Sequence, residues 1–512
     1  MHAIKKVAVL VLTLIIIMGC FACSLALPKK DETGDPPAQN TPVQPSEPTE
    51  PTTPSNPTAP INPSNPTTPS NPTAPSEPEV EVDETSTIYN YRAFPVIKMT
   101  FNLGAPMKKE EGYKTGTIST ENCLVSEIID EAVAEVKVRG NSTAEAKKKP
   151  YRIKFEKKQS MFSLNEGQKY KSWVLLADAY DYSMMRNYFI YKVGSVFNNT
   201  YCTDCRHVSL YINGQYQGVY LLAEQNQVNE GRIEIDEANL ETSANTGIFV
   251  EADSRAASDG CVRFRLTTPV SEIDPSKEYY IKVKYMVKTT QYEQLFTIKS
   301  DLSSDKEIAH AQLTRILNYM QSVYDALFNY SDEATVRSLI DIPSAVDMFI
   351  INNIASLRGG KRSDFYYIDF SKEQPRLCFG PPWDYDLDCG NYDVADLPTE
   401  FQALKISDYV NYTLNQRPWF VSLVKERWQE VSGGAKLREL LKQINPQEPN
   451  AICNYYQSEF NRNYDKWNIW GTKTVSFLRN DVTKFRCHTD AVQYFYNWME
   501  THVDYADSVW GA

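Results

Sequence analysis

Acidic residues at alternate positions mark the part of this sequence that is best suited to metal-assisted chemistry. The segment GPPWDYDLDCGN, residues 380–391, carries three aspartates two positions apart, beginning with Asp384 and Asp386. Mg²⁺ or Mn²⁺ binds one or two such carboxylates together with substrate phosphates. An EF-hand calcium loop is excluded, because its sixth and twelfth positions would be Cys389 and Ala395. The alternative is a solvated acidic turn, but the interleaved Trp and Tyr favour a metal site.

A second candidate site combines a polar turn with a basic strand. RGNST begins at Arg139 and includes Asn141, and KKPYRIKF follows at 148–155. Alternation along KKPYRIKF places Arg152 and Lys154 on one face of a strand and the apolar residues on the other. Cations beside a Gly/Asn/Ser turn can bind phosphate groups. The alternative is a basic edge strand that faces only solvent.

The segment WVLLADAYDYSMMRN, residues 173–187, brings further charged residues to the start of a predicted helix. Arg186 has two candidate partners, Asp178 and Asp181. An ion pair with either of them favours a structural role over a catalytic one.

The cysteines and histidines form no familiar metal or catalytic pattern. Cys202 and Cys205 are a lone CxxC pair, and a zinc ribbon needs a second pair at a suitable spacing, which this sequence lacks. We expect a disulfide or free thiols here, and a metal or redox role is the alternative. GxSxG and HExxH motifs are absent, and the five histidines are scattered.

Strands come before helices in the hydrophobic pattern. Period-two alternation predicts strands at 94–101, 134–139, 151–155, 208–212, 218–222, 247–253, 365–368 and 376–379. Helical periodicity predicts helices at 183–197, 308–328, 342–354, 421–431, 436–444 and 491–510. Asn213-Gly214 predicts a tight hairpin turn, and Asp341 is a candidate helix N-cap. The order predicts an α+β fold with two lobes.

The composition limits the class of protein. Of the 512 residues, 42% are hydrophobic and 23% are charged, as in soluble globular proteins. This balance excludes a wholly disordered chain, a collagen, a coiled coil and a polytopic membrane protein. The net charge of −12 argues against nucleic acid as a partner, because Lys and Arg supply most of that affinity.

The first residues resemble an export signal. Lys5 and Lys6 precede an apolar run over 7–18, which is shorter than the ~20 residues of a spanning helix. The sequence IMGC, ending at Cys20, resembles the bacterial lipobox and predicts a signal peptide over 1–19 with lipidation of Cys20. An uncleaved anchor and plain secretion are the alternatives. We therefore expect an extracytoplasmic protein that is lipid-anchored to the bacterial cell membrane and touches it only through that anchor.

A proline-rich spacer is predicted over residues 20–88. A proline occupies every third position from Pro42 to Pro78, which matches the three residues per turn of polyproline II. At ~3.1 Å per residue, this run would extend about 115 Å as a semi-rigid, otherwise disordered stalk. The alternatives are a ligand for proline-binding domains and a substrate for Ser/Thr modification.

Five motifs, taken in chain order, resemble the spore-coat protein H (CotH) kinase family. They are RGNST at Arg139, KKPYRIKF at Lys148, WVLLADAYDYSMMRN at Trp173, NGQYQGVYLLAEQ at Asn213 and GPPWDYDLDCGN at Gly380. The resemblance implies an atypical, reduced protein-kinase-like fold over 89–405, with a strand-rich first lobe to about 255 and a helical second lobe. Residues 406–512 would be a C-terminal helical part of the same domain.

The resemblance also implies roles for individual residues. Lys154 would be the phosphate-binding and catalytic lysine, Asp384 would hold Mg²⁺ or Mn²⁺ with Asp386 beside it, and Glu224 would lie in the nucleotide-binding hinge. With ATP as the phosphate donor, the expected nucleotide contacts are completed by Arg152, Arg139 and Asn141.

One part of the family pattern is missing from its expected place. The family carries Glu, Asn and Asp upstream of the acidic loop, and here those positions hold Asn353, Leu357 and Gly359. Asp364 is the candidate substitute for the catalytic aspartate. The predicted helix 183–197 also contains no Glu to pair with Lys154. A general base contributes ~10²–10⁴-fold to rate, so its loss would leave a slow enzyme or a pseudokinase.

Two functions follow from these features. The first is a surface-tethered kinase that phosphorylates Ser or Thr of extracytoplasmic proteins, and the second is a catalytically degenerate scaffold or adhesion protein that contacts cell-surface or wall partners. Abundant Tyr and Trp leave carbohydrate binding as a more distant third.

Overall fold

The computed structural model of this chain describes residues 93–198, 200–356, 363–393, 397–401, 404 and 409–512. The predicted signal peptide, Cys20 and the proline-rich spacer lie outside the described residues. So do Leu357 and Gly359 of the altered family pattern and the predicted boundary after residue 405. None of the described helices is both long enough and apolar enough to cross a membrane.

Seven strands from the first half of the described chain close into a barrel. They are β1 (Val96–Thr100), β2 (Lys114–Glu121), β3 (Ala132–Val138), β4 (Tyr151–Gln159), β5 (Tyr170–Leu176), β6 (Cys205–Ile212) and β7 (Gln215–Glu224). Their order is β1-β2-β3-β4-β5-β7-β6, and parallel pairing of β6 with β1 closes the ring. In β4, the alternation that the sequence predicts is confirmed, with Tyr151, Ile153 and Phe155 buried inside. Arg152 and Lys154 consequently lie on the outer face.

The turn between β6 and β7 explains how the barrel forms its tight hairpin. Asn213 and Gly214 have φ values of 48° and 76°, as a type I′ turn requires at both central positions. The predicted hairpin is confirmed. Closure of the barrel was not predicted, because the parallel contact of β6 with β1 leaves no mark on local periodicity.

A second sheet of six strands follows the barrel. Its strands are β8 (Gly247–Ala252), β9 (Val262–Arg263), β10 (Tyr279–Val287), β11 (Thr290–Ile298), β12 (Asp364–Asp369) and β13 (Cys378–Phe379), in the order β13-β12-β8-β11-β10-β9. Five of these strands come after residue 255. The expected division there, with a strand-rich lobe before and a helical lobe after, therefore differs from the observed order of elements. The alternation of buried Ile281 and Val283 with lysines in β10 was the overlooked signal.

Helices pack around the second sheet and against one another. Those described are α1 (Arg186–Val196), α2 (Lys306–Phe328), α3 (Glu333–Leu339), α4 (Ile342–Ile354), α5 (Tyr409–Asn415), α6 (Pro418–Glu430), α7 (Gly433–Lys442), α8 (Ile452–Tyr455), α9 (Gln457–Lys466) and α10 (His488–Trp510). Asp341 accepts a hydrogen bond from Ser344 N at 2.9 Å, so the predicted N-cap of α4 is confirmed. The chain is an α+β protein, while its two-lobed kinase-like arrangement stays a prediction.

Two buried histidines hold the chain immediately before α1. His207 Nε2 donates a hydrogen bond to Met184 O at 2.9 Å, and His488 Nε2 donates one to Ser183 O at 2.8 Å. Both rings pack against Phe460, with centroids 5.4 and 4.3 Å away. Burial lowers the pKa of His207 to about 3 and the pKa of His488 to about 4. Both imidazoles are therefore neutral in the folded chain at neutral pH.

These histidines should make the fold sensitive to acid. The unfolded chain binds protons at each His near pH 6.5, whereas the folded chain does so only near the lowered pKa values. Stability is therefore lost as the pH falls below 6.5, by ~2 kcal/mol per histidine between pH 7 and pH 5. Urea unfolding at a series of pH values measures this slope. In a variant with His207→Gln and His488→Gln, that part of the slope should disappear, and an unchanged slope would contradict the assignment.

Candidate functional site

A cleft with a volume of about 780 Å³ lies between the outer face of the barrel, the second sheet and the acidic loop 380–391. This size is within the ~300–1,000 Å³ of small-molecule sites. Its walls include Lys137, Arg139 and Arg152 from the barrel, Glu251 and Lys299 from the sheet, and Asp384 and Asp386 from the loop. One space thus joins the two candidate sites that the sequence suggested separately.

Two hydrogen bonds, one to Asn187 and one within the loop, fix the conformation of the acidic loop. Tyr385 N donates to Asn187 Oδ1 at 2.8 Å, and Asn391 Nδ2 donates to the carbonyl of Asp386 at 2.7 Å. Asp384 has a φ of 68°, in the left-handed region that Asp tolerates better than most residues. Its side chain is exposed in the cleft, whereas Asp386 is buried.

Arg186, which is buried, anchors the acidic loop through its backbone carbonyls. Its guanidinium is buried, forms an ion pair with Asp181 and donates to the carbonyls of Asp388 and Cys389 at 3.1 and 3.4 Å. Of the two partners that the sequence suggested, the ion-pair partner is Asp181. Asp178 instead accepts a hydrogen bond from Asn187 at 3.0 Å. The segment 173–187 therefore positions the acidic loop.

A buried lysine and a buried aspartate, Lys148 and Asp178, interact electrostatically and link two other motifs. Lys148, from KKPYRIKF, donates to the carbonyl of Val219 and lies 4.7 Å over the ring of Tyr220. Burial lowers the pKa of Lys148 and raises the pKa of its electrostatic neighbour Asp178. Both residues are absent from the cleft lining, so they lie in the packing between the motifs rather than in the cleft.

The acidic loop offers two carboxylates rather than a complete metal cage. Among the described residues, no group of three or more His, Cys, Asp or Glu side chains is arranged to hold a metal ion. Mg²⁺ characteristically takes one or two carboxylates and completes its octahedron with water and substrate phosphates. Asp384 and Asp386, in a cleft with one cationic side, fit that kind of site.

The barrel side of the cleft is a cationic wall, formed by Lys109, Lys137, Arg139 and Arg152. Burial lowers the pKa of Lys137, and its like-charged neighbour Arg152 lowers it further. Burial also lowers the pKa of Arg139, whereas the nearby Asp384 raises it. Arg152 Nε is buried, and the described part of the chain gives it no hydrogen-bond partner. Repulsion among these cations favours a bound anion.

Arg139 connects the cationic wall to the acidic loop. Its guanidinium lies over the ring of Trp383, 5.4 Å from the centroid, and Asp384 is its strongest electrostatic partner. Asn141, two residues farther on, also lines the cleft and accepts a hydrogen bond from Lys109 at 3.0 Å. The RGNST turn thus brings both of its candidate residues to the cleft.

Lys154 lies outside the cleft lining. It is on the same outer face as Arg152, but two residues farther along β4, where it is half exposed. Its partner across the strands is Glu135, with 4.0 Å between Nζ and Oε2. The role of Lys154 as phosphate-binding lysine stays a prediction, and this geometry does not favour it.

Asp364 and Glu224 are also directed away from the cleft. In the pairing of β12 with β8, Phe365 lies opposite Glu251 and Asp364 lies opposite Ala252. Because Phe365 and Glu251 line the cleft, the pleat turns Asp364 to the other face. Glu224 is buried and bound by Arg232 at 3.0 Å and by the amide of Asp204. The catalytic and hinge roles suggested for these residues stay predictions without support from their positions.

Several charged cleft residues escaped the sequence analysis, among them Lys137, Glu251, Asp253 and Lys299. Lys137 was visible as an outward residue of the strand before RGNST. Glu251 lies on β8, and Asp253 and Lys299 directly follow β8 and β11. The pairing of these strands is not local, so no motif in the sequence marked the three residues.

The lone CxxC pair has no part in the cleft. Cys202 and Cys205 are free thiols, and burial raises the pKa of each. Both are therefore unreactive at neutral pH.

In this α+β protein, two carboxylates and a cationic wall line one cleft. The CotH kinase protein family, whose model matches residues 136–504, covers well over half of the 512 residues, and the chain belongs to this family. Membership indicates a kinase-like function. No curated protein matches the chain.

Proposed function

We propose that this chain is a CotH-type protein kinase that transfers phosphate from ATP to Ser or Thr of extracytoplasmic proteins. The observation that carries the proposal is the shared cleft, in which Asp384 and Asp386 face the cationic wall beside Arg139. Phosphoryl transfer depends mainly on positioning and on neutralising the charge of the phosphates. A cationic wall and a carboxylate pair are the parts that this chemistry requires.

The residues have distinct tasks in this proposal. Asp384 and Asp386 would hold Mg²⁺ or Mn²⁺, which neutralises charge on the phosphates. Arg139 and Arg152 bind phosphate oxygens directly, since guanidinium groups match their geometry with two parallel donors. Asn187, by fixing the acidic loop, keeps the carboxylates in place against those cations.

The kinase-like, two-lobed arrangement belongs to the same proposal. The barrel would serve as the first lobe, and the second sheet with its helices as the other, with the cleft between them. Support comes from the cleft lining, which draws on both sheets. In this proposal, the closed barrel in place of an open sheet would make the chain an atypical member of such folds.

The proposed setting is the outer surface of the bacterial membrane. Lipid on Cys20 would anchor the chain, and the spacer 20–88 would hold the catalytic part away from the membrane. Partners would then be proteins of the surface or wall. The negative net charge of the whole chain disfavours nucleic acid.

A second candidate is a degenerate kinase that retains nucleotide binding but serves as a scaffold or adhesion protein. The position of Asp364 on the face away from the cleft favours this alternative, because that residue was the substitute for the missing catalytic aspartate. Nucleotide binding without phosphate transfer would identify this case.

Arg139→Ala should weaken the binding of Mg·ATP by ~10–100-fold, because a charge-assisted contact contributes ~1.5–3 kcal/mol. The fold should be unaffected, since Arg139 is only partly enclosed at the cleft wall. Calorimetric titration of the full-length chain with Mg·ATP measures the change.

Lys154→Ala is the matched control for this titration, because Lys154 lies on the adjacent strand beyond the cleft. The Lys154→Ala variant should bind Mg·ATP with the same affinity as the unaltered chain. An unchanged affinity for Arg139→Ala, with a loss for Lys154→Ala, would reverse the assignment and restore the role that the family resemblance implied.

A further inference from the structure

The face of the second sheet that borders the cleft carries a charged group that the sequence motifs do not include. Glu251 on β8 lies opposite Thr297 on β11, which makes Lys299 its diagonal neighbour on the same face. The two side chains form an ion pair, with 2.8 Å between Nζ and Oε2. Asp253, two residues beyond Glu251, lines the cleft with them.

Asp253 is held firmly at the end of β8. Its amide donates to the carbonyl of Leu295 at 3.1 Å, and its Oδ1 accepts a hydrogen bond from the amide of Arg255 at 2.7 Å. The described residues supply no hydrogen bond or ion pair to the other oxygen, Oδ2. Burial raises the pKa of Asp253 above its usual value, Glu251 raises it further, and Lys299 opposes this shift. A carboxylate of this kind accepts a proton more readily than a solvated one.

The two sides of the cleft differ in charge. The barrel side is the cationic wall described above, whereas the sheet side carries mainly acidic residues, with the basic residues Arg255, Lys277 and Lys299 among them. The phosphates of a nucleotide would therefore lie on the barrel side. A neutral hydroxyl group, which brings no charge of its own, fits the sheet side next to Asp253.

We propose that Asp253 is the general base of the phosphate transfer and that Lys299, oriented by Glu251, binds the transferred phosphoryl group beside it. The inference rests on the proposed kinase function. In the step, the oxygen of the acceptor hydroxyl forms a bond to the γ-phosphorus of ATP, and its proton passes to Asp253 Oδ2. The bond between the γ-phosphorus and the β–γ bridging oxygen breaks, and ADP leaves with that oxygen.

The position of Asp253 allows it to replace the catalytic aspartate that the altered family pattern lacks. Asp364, the residue that the sequence suggested as a substitute, pairs with Ala252 and faces away from the cleft. Asp253 directly follows β8 and lines the cleft. The base would thus come from the end of β8 rather than from the start of β12.

Asp253→Asn in the full-length chain tests the inference, with Asp364→Asn as the matched control. Autophosphorylation and transfer to a degenerate Ser/Thr peptide library give kcat, and calorimetric titration gives the affinity for Mg·ATP. For Asp253→Asn we expect kcat to fall by ~10²–10⁴-fold with unchanged affinity and unchanged unfolding midpoint. For Asp364→Asn we expect no change in kcat. Lys299→Met is a second variant, which leaves the hydrogen bond between Asp253 and the amide of Arg255 intact. It should also lower kcat.

The outcomes distinguish a failure of this inference from a failure of the proposed kinase function. If Asp253→Asn keeps its kcat, or if Asp364→Asn loses it, Asp253 is not the base and the kinase function stands. If the unaltered chain binds Mg·ATP but transfers no phosphate, the inference is also wrong and the scaffold alternative is supported. If the unaltered chain binds no Mg·ATP, the proposed function itself fails, and the inference fails with it.

Discussion

Asp384→Asn should weaken Mg²⁺-dependent ATP binding by ~100-fold or more, because a divalent cation contributes several kcal/mol to phosphate charge stabilisation. Asn has the size of Asp but lacks the charge that a hard cation requires. It also tolerates the left-handed backbone at this position, where φ is 68°. The side chain is exposed in the cleft, so the fold should be kept. Titration with ATP in the presence of Mg²⁺ or of EDTA measures the metal-dependent part.

Asp393→Asn is the matched control, because Asp393 lies nearby in the chain but outside the cleft, 3.7 Å from Lys473. It should leave the metal-dependent binding unchanged. If both variants and the unaltered chain show equal Mg²⁺-dependent ATP binding, the acidic loop does not form the metal site.

Arg186→Met should have the largest effect on stability, with a loss of ~3–5 kcal/mol in the free energy of unfolding. The Arg186 side chain is 3% exposed and that of Asp181 is fully buried, so the substitution leaves a buried carboxylate without its counter-charge. The carbonyls of Asp388 and Cys389 lose donors as well. Urea unfolding should show a lower midpoint at an unchanged slope. Because these carbonyls belong to the acidic loop, Mg·ATP binding should weaken in parallel.

An exposed ion pair provides the control for Arg186. Lys442 and Glu439 lie 2.7 Å apart on α7, with 62% and 67% of their side chains exposed. Lys442→Met should change stability far less than Arg186→Met does, because solvent screens such exposed pairs. Similar losses for Lys442→Met and Arg186→Met would contradict the claim that the buried pair anchors the loop.

Local signals in the sequence were sufficient for individual elements. The alternation in β4, the Asn-Gly turn before β7 and the Asp341 cap of α4 each depend on residues a few positions apart, and each is confirmed. Such features follow from backbone geometry and from short-range hydrogen bonds. The α+β class followed from the order of these elements.

The arrangement of the site needed contacts that are distant in the sequence. Arg152 and Lys154 are equivalent by alternation, and only the position of the second sheet against the barrel separates the cleft residue from the exposed one. Glu251 and Lys299 form an ion pair because β8 pairs with β11, which no local pattern encodes. The pleat of β12 likewise decides that Phe365 faces the cleft and Asp364 does not.

Phosphate incorporation tests the central claim most directly. The full-length chain would be incubated with ATP and Mg²⁺ or Mn²⁺ and analysed by intact mass, alongside Asp384→Asn and Asp393→Asn. A phosphotransferase that uses the acidic loop should gain mass in phosphate steps in the unaltered chain and in Asp393→Asn, but not in Asp384→Asn. Equal incorporation by Asp384→Asn, or no incorporation and no nucleotide binding by the unaltered chain, would contradict the account.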